Sequence, residues 1–251
     1  MRSGKAEKGW DVEFSLFGIP VQIRPACWAL LALLGGGLSV DSADALVTVA
    51  AFILAGVLCL LAHELGHALV GRGLYGGYAV IILGATGGET VSTGTPNSRL
   101  QEFLMVLAGP LFTLLPGLLG ALVLGLLISN MGAAFLFFLL EPLPGVELPD
   151  FVQEALSMGG SARWLFNCFL VFVRLLSCIG VWVCLFNLLP IMPLDGGRLA
   201  VALTDNHRAV SLLGLVFCIP AVVWSLARGL WCNALFMGYL AYLNLPYLRR
   251  S

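Results

Sequence analysis

Six apolar segments run along the chain, at about 26–40, 45–74, 100–129, 163–189, 210–227 and 230–248. All but the first reach the roughly 18–20 residues that a helix needs to cross about 30 Å of hydrocarbon. The first is shorter and rich in glycine at its end. No water in a bilayer core can satisfy an open backbone, so the pattern predicts helices. Two stretches break the rhythm. Residues 75–97 are rich in Gly and β-branched types, and 79–83, a Gly-rich turn and 89–93 read as a β-hairpin. The other is a loop, 130–162, that carries the Pro-broken run EPLPGVELP at 141–149. The apolar residues 133–140 before that run are too few to span; they extend the third helix or lie in the interface.

Composition narrows the class. Charged residues make up 11% of the 251, against about 25% in a soluble domain. That excludes a soluble single domain, a disordered chain and a nucleic-acid binder, and makes the lipid bilayer the solvent. Seven cysteines, with no C-x-x-C pair, lie in or beside apolar stretches and imply no disulfide framework. Basic residues orient the spans. Ten of the thirteen (Arg2, Lys5, Lys8, Arg24, Arg72, Arg99, Arg198, Arg208, Arg249 and Arg250) fall on one side of a six-span arrangement. The loop 130–162 holds Glu141, Glu147, Asp150 and Glu154 but no Lys or Arg. The positive-inside rule then places both termini, and the hairpin, in the cytoplasm. The fold class expected is an all-α polytopic membrane protein of about six transmembrane helices with a small cytoplasmic-side β-hairpin.

A polar residue at membrane depth costs several kcal/mol and calls for a reason. The second segment contains His63-Glu64-Leu65-Gly66-His67. The residues 45–62 before it cover about 27 Å as a helix, so the cluster lies toward the cytoplasmic end. His63 and His67, four apart, share one helix face. Two imidazoles at that spacing can hold one Zn²⁺ at about 2.0–2.1 Å each. Glu64, rotated by about 100°, is placed for a water at the metal instead of the metal itself. A catalytic zinc needs a third protein ligand and one open position. Val70 and Gly73 stand where extended forms of this motif carry Gly and a third His. The best remaining candidate is Asp195, in Asn187-Leu-Leu-Pro-Ile-Met-Pro-Leu-Asp195-Gly196-Gly197-Arg198. Pro190 and Pro193 stop the fourth helix. Gly196 and Gly197 permit a positive-φ turn, so the carboxylate is expected on an irregular turn at the depth of the two His. The third His, His207, reads as a solvated loop residue.

These motifs resemble the site-2 protease family of intramembrane zinc metalloproteases. HELGH in one span and N-x-x-P-x-x-x-L-D-G at the end of a later one carry the resemblance. Ala108-Gly109-Pro110 in the third segment and FGIPVQIRP at 17–25 fit it as well. It covers about Phe14 to Arg198. It implies that His63, His67 and Asp195 ligate one zinc per chain, that Glu64 is the general base and acid, and that Asn187 touches substrate or oxyanion. Thr113 stands where relatives often carry Asn, which weakens the expectation of a polar role there. No PDZ or CBS module is visible, so the chain resembles the minimal form. The organisation expected is a cytoplasmic N-terminal segment (1–25), a transmembrane zinc metalloprotease domain (26–248) and a cytoplasmic tail (249–251), in a bacterial cell membrane. The activity implied is cleavage of transmembrane protein substrates in or near their spans, as in regulated intramembrane proteolysis. The hairpin could pair its edge with an extended substrate. Nothing in the sequence indicates an oligomeric state. Two other classes compete. A catalytically silent membrane-protein binder has no need of Glu64, and a metal carrier should show several polar clusters along a path where this chain has one.

Overall fold

The computed structural model describes residues 10–127 and 161–249. Arg2, Lys5 and Lys8, the stretch 133–140, the four acidic residues of the 130–162 loop and the last two residues lie outside them.

The chain opens with a strand hairpin, β1 (Val12–Leu16) and β2 (Ile19–Ile23), joined through Phe17 and Gly18, both at positive φ. A two-residue turn of this kind matches the twist of the strands it connects. Helix α1 (Pro25–Leu34) starts with proline in its first turn, where a missing N–H costs nothing. After a short 3-10 turn (Gly37–Ser39) comes α2 (Ala43–Tyr75), whose N-cap Ser42 accepts from the Ala45 N–H at 3.2 Å. Gly76 and Gly77, both at positive φ, end it. A second hairpin follows, β3 (Ala79–Gly84) and β4 (Gly87–Ser92), and then α3 (Arg99–Leu127) and α4 (Ser161–Asn187). The chain finishes with α5 (Asp195–Thr204), α6 (His207–Ala227), α7 (Trp231–Asn244) and a 3-10 turn (Leu245–Arg249).

Among the described residues four helices are long and apolar enough to cross a membrane: α2, α3, α4 and α6. The first and sixth apolar segments fold differently from the expectation. They form α1 and α7, of 10 and 14 residues, too short to span as helices. Glycines in the first segment end α1 early, and the 3-10 turn consumes the end of the sixth. The long helices turn Leu54, Leu58, Leu115, Leu119, Val216 and Val223 outward, which suits lipid. The protein is an integral membrane protein.

The all-α expectation needs a second correction. The strands form one four-stranded sheet in the order β1-β2-β3-β4. β2 and β3 pair in parallel, with Val21 opposite Ile81 and Ile23 opposite Leu83. The hairpin foreseen at 79–93 is therefore half of a larger sheet, and its first strand is internal. Alternate residues Ile19, Val21, Ile23, Ala79, Ile81 and Leu83 pack on Cys27, Leu31, Val57, Leu65 and Ala68 of α1 and α2. This apolar face clamps the sheet to the C-terminal half of α2, the half that carries HELGH. The parallel pairing also ties the N-terminal strands to that same end.

α2, α3 and α4 form a tight bundle. A Cβ on Gly66 would overlap the Ala108 carbonyl, and one on Gly180 would come within 2.7 Å of Gly117 Cα. Without side chains at these points the backbones approach closely, as small residues allow in membranes. His207 departs from its expected place: it begins α6, and its ring stacks on Tyr247 with centroids 6.2 Å apart.

Candidate metal centre

α2 brings His63 and His67 to one face, and both are buried. The start of α5 brings Asp195 against them, 128 residues from His67. His63 Nε2 lies 3.0 Å and His67 Nε2 3.1 Å from Asp195 Oδ2, and the two Nε2 atoms are 3.2 Å apart. Around an ion with bonds of about 2.0–2.1 Å, tetrahedral ligands are about 3.3–3.4 Å from one another. The triangle is nearly that size.

The hydrogen bonds behind the rings fix which nitrogens face inward. His67 Nδ1 lies 2.9 Å from the Met105 carbonyl, which can only accept, so Nδ1 carries the proton. Thr113 Oγ1 donates to the Gly109 carbonyl at 2.9 Å, and therefore accepts from His63 Nδ1–H, also at 2.9 Å. In neutral rings both Nε2 atoms are then bare lone pairs, and they converge on a carboxylate oxygen. Three acceptors within about 3 Å repel one another unless a cation or a shared proton lies among them. The donor set of two imidazoles and one carboxylate, with each ring held from behind, fits zinc.

Glu64, next to His63, is buried at 5% exposure. Thr90 Oγ1, on β4, donates to its Oε2 at 2.7 Å. Asp195 is also contacted from outside: Arg198 Nη1 lies 3.5 Å from Oδ1, the oxygen turned away from the rings.

Local sequence explains how Asp195 arrives. Leu188–Leu194 leave the end of α4 in tight turns, with Leu194 N–H bonded to the Ile191 carbonyl. Asp195 then opens α5 instead of lying on an irregular turn. Gly196 and Gly197 act differently from the expectation too, since neither has positive φ. A Cβ on Gly196 would overlap the Leu188 carbonyl, and one on Gly197 would come within 2.7 Å of the Ile191 carbonyl. They let the first turn of α5 lie against the backbone before it, which sets the depth of Asp195. Gly109 does the same on α3, where a Cβ would overlap the His67 ring.

The structure thus brings together His63, His67 and Asp195, with Glu64 alongside. Asn187, the last residue of α4, donates its amide to the Val183 carbonyl at 2.8 Å, within its own helix. Thr113, Met105, Thr90 and Arg198 escaped the sequence reading as site residues. Thr113 even has the polar role that its departure from Asn argued against: a hydroxyl three residues after Pro110 still reaches His63. Two buried imidazoles do require partners for their second nitrogens, and that requirement was the signal available.

An HExxH helix completed by a carboxylate from a distant element, set among membrane helices, defines the class of membrane-embedded metallopeptidase centres. Residues 51–219 match the family model for peptidase family M50, and the chain belongs to that family, the site-2 proteases. A Synechocystis protein named "Putative zinc metalloprotease sll0528" is 27% identical over 239 residues, covering 92% of this chain and 52% of its own length. The chain therefore spans about half the length of the curated relative it matches. The site-2 protease from Methanocaldococcus jannaschii shares the fold, with a TM-score of 0.57 and 19% identity over 96% of this chain and 97% of its own.

Proposed function

We propose that this chain, through its 26–248 domain, is an intramembrane zinc endopeptidase, with one zinc per chain, that hydrolyses peptide bonds in or near the transmembrane segments of membrane proteins. The observation that carries the reading is the convergence of two bare imidazole nitrogens and a carboxylate oxygen beside the buried Glu64. His63, His67 and Asp195 would hold the ion. When bound, zinc supplies Lewis acidity, polarising a carbonyl and lowering the pKa of a water. Glu64 takes the proton that the attacking water loses and returns it to the leaving amine. Asn187 contacts the substrate or its oxyanion, for which its amide turns from Val183 O.

A helical substrate must unwind before its carbonyl can be attacked, and the backbone groups it exposes need partners. β4 supports this step. Gly84 and Gly87 close a two-residue turn, so bonded pairs alternate along the hairpin at Ile82–Glu89 and Val80–Val91. Gly88, Thr90 and Ser92 then point their N–H and C=O groups away from β3, along an edge that no described strand pairs. The substrate edge is β4 and not β3, which β2 already covers. The basic bias supports termini on the cytoplasmic side of a bacterial membrane.

Purified wild type and Glu64→Gln, assayed for metal and for cleavage of a transmembrane substrate in vesicles, test the reading. Wild type is expected to hold zinc and cleave. Glu64→Gln is expected to keep the metal and lose about 10²–10⁴-fold in turnover. Metal-free wild type, or undiminished turnover in the variant, overturns it.

A further inference from the structure

Glu64 is held by a residue outside the motif that contains it. Thr90 Oγ1 lies 2.7 Å from Glu64 Oε2 and 3.1 Å from the Glu64 main-chain carbonyl. Both partners are acceptors when Glu64 is ionised, so the hydroxyl donates, and its single proton goes to the nearer, charged oxygen. The other oxygen, Oε1, rests against Gly88, where a Cβ would overlap it. β4 therefore grips the carboxylate at two alternate residues, one by a hydrogen bond and one by having no side chain. The same two residues, Gly88 and Thr90, turn their main-chain N–H and C=O groups outward along the unpaired edge.

We infer that Thr90 is a positioning residue for the general base, and that β4 serves as one ruler for both partners in the reaction. Its side chains and close backbone aim Glu64, while its outer edge sets the register of an extended substrate. Oε2 stays bonded to Thr90 whether or not Oε1 carries the proton, since a neutral carboxyl still accepts at its carbonyl oxygen. The carboxylate thus keeps its direction through both halves of the proton cycle. The inference rests on the hydrolytic reading above.

Steady-state cleavage by Thr90→Val, Thr90→Ala and Thr90→Ser tests it, with metal content measured on each. Thr90→Val and Thr90→Ala are expected to lose about 10- to 100-fold in kcat, the scale of one hydrogen bond to a charged group. KM and zinc content should stay at wild-type values, and Thr90→Ser should recover most of kcat. If Thr90→Val does not fold, the Ala and Ser pair carries the comparison. Wild-type kcat in the Val or Ala variant overturns the inference. So does a Ser variant as slow as Ala, which would mean that packing and not the hydroxyl matters. Infrared spectra give a readout independent of turnover, with the Glu64 carboxylate band identified by its loss in Glu64→Gln. That band should shift in Thr90→Val or Thr90→Ala and not in Thr90→Ser. That shift in the Thr90 variants, together with a wild type that binds zinc but does not cleave, would uphold the Thr90 contact while refuting the hydrolytic reading. An unmoved band refutes the contact.

Discussion

The α2–α3–α4 bundle and the α6–α7 hairpin are both apolar, yet the polar side chains buried closest to the loop before Asp195 are held differently in the two. In the bundle His63, His67, Thr113 and Ser177 are all buried and all bonded; Ser177, for example, donates to the Gly117 carbonyl at 3.0 Å. In the hairpin Asn244 is fully buried, and neither side-chain polar atom has a hydrogen-bond partner among the described residues. Its main-chain carbonyl accepts from Ser211 Oγ at 2.7 Å. The hairpin rests on the loop that leads to Asp195 through apolar contacts, with Cys218 and Leu240 against Ile191, and Leu189 and Leu194 nearby. Hydrogen bonds are directional and apolar contacts are not. The bundle is therefore where ligand directions are specified. The hairpin supports the same loop without dictating where any atom points.

That contrast can be broken in several places. The largest effect is expected from Asp195→Ala, which removes one of the three donors. Metal content should fall to background and cleavage with it, as measured by elemental analysis and by assay on the same preparation. Retained stoichiometric metal would mean that the triangle of donors is not the site. Thr113→Val keeps the shape of the side chain and deletes the partner of His63 Nδ1. Loss of such an outer contact weakens metal binding by about 10- to 100-fold, which titration against a chelator of known affinity would read. An unchanged affinity would show that the ring is held by packing alone. The smallest effect belongs to the hairpin. Asn244→Ala removes an amide that bonds to nothing described, so stability should change by about 1 kcal/mol or less, with metal affinity untouched. A larger loss in a thermal unfolding experiment would show that the amide has a partner and that the two regions differ less than described.

Several features of the fold and site were legible in the residues because they depend on short-range periodicity. The spacing of His63 and His67 puts both on one helix face wherever that helix lies, and four of the five apolar runs of spanning length form helices long enough to cross a membrane. The hairpin legible at 79–83 and 89–93 from its glycines and β-branched residues forms at 79–84 and 87–92. The first and sixth runs form shorter helices than their lengths suggest, because average hydropathy does not report where glycines or a 3-10 turn end a helix.

The residues alone were enough to read the class of chemistry: two imidazoles and a carboxylate neighbour at fixed helical offsets, in a chain that only lipid can solvate. Everything that joins distant residues came from packing in three dimensions. Asp195 reaches His67 across 128 positions because Gly196 and Gly197 let α5 press on the loop before it. Thr113 and Met105 fix the ring tautomers because α3 lies against α2 at Gly66. Thr90 meets Glu64 because a parallel pairing of β2 with β3 seats the sheet on the end of α2. Such contacts follow from how whole surfaces fit, and no local pattern along the chain encodes the fit of surfaces far apart in sequence.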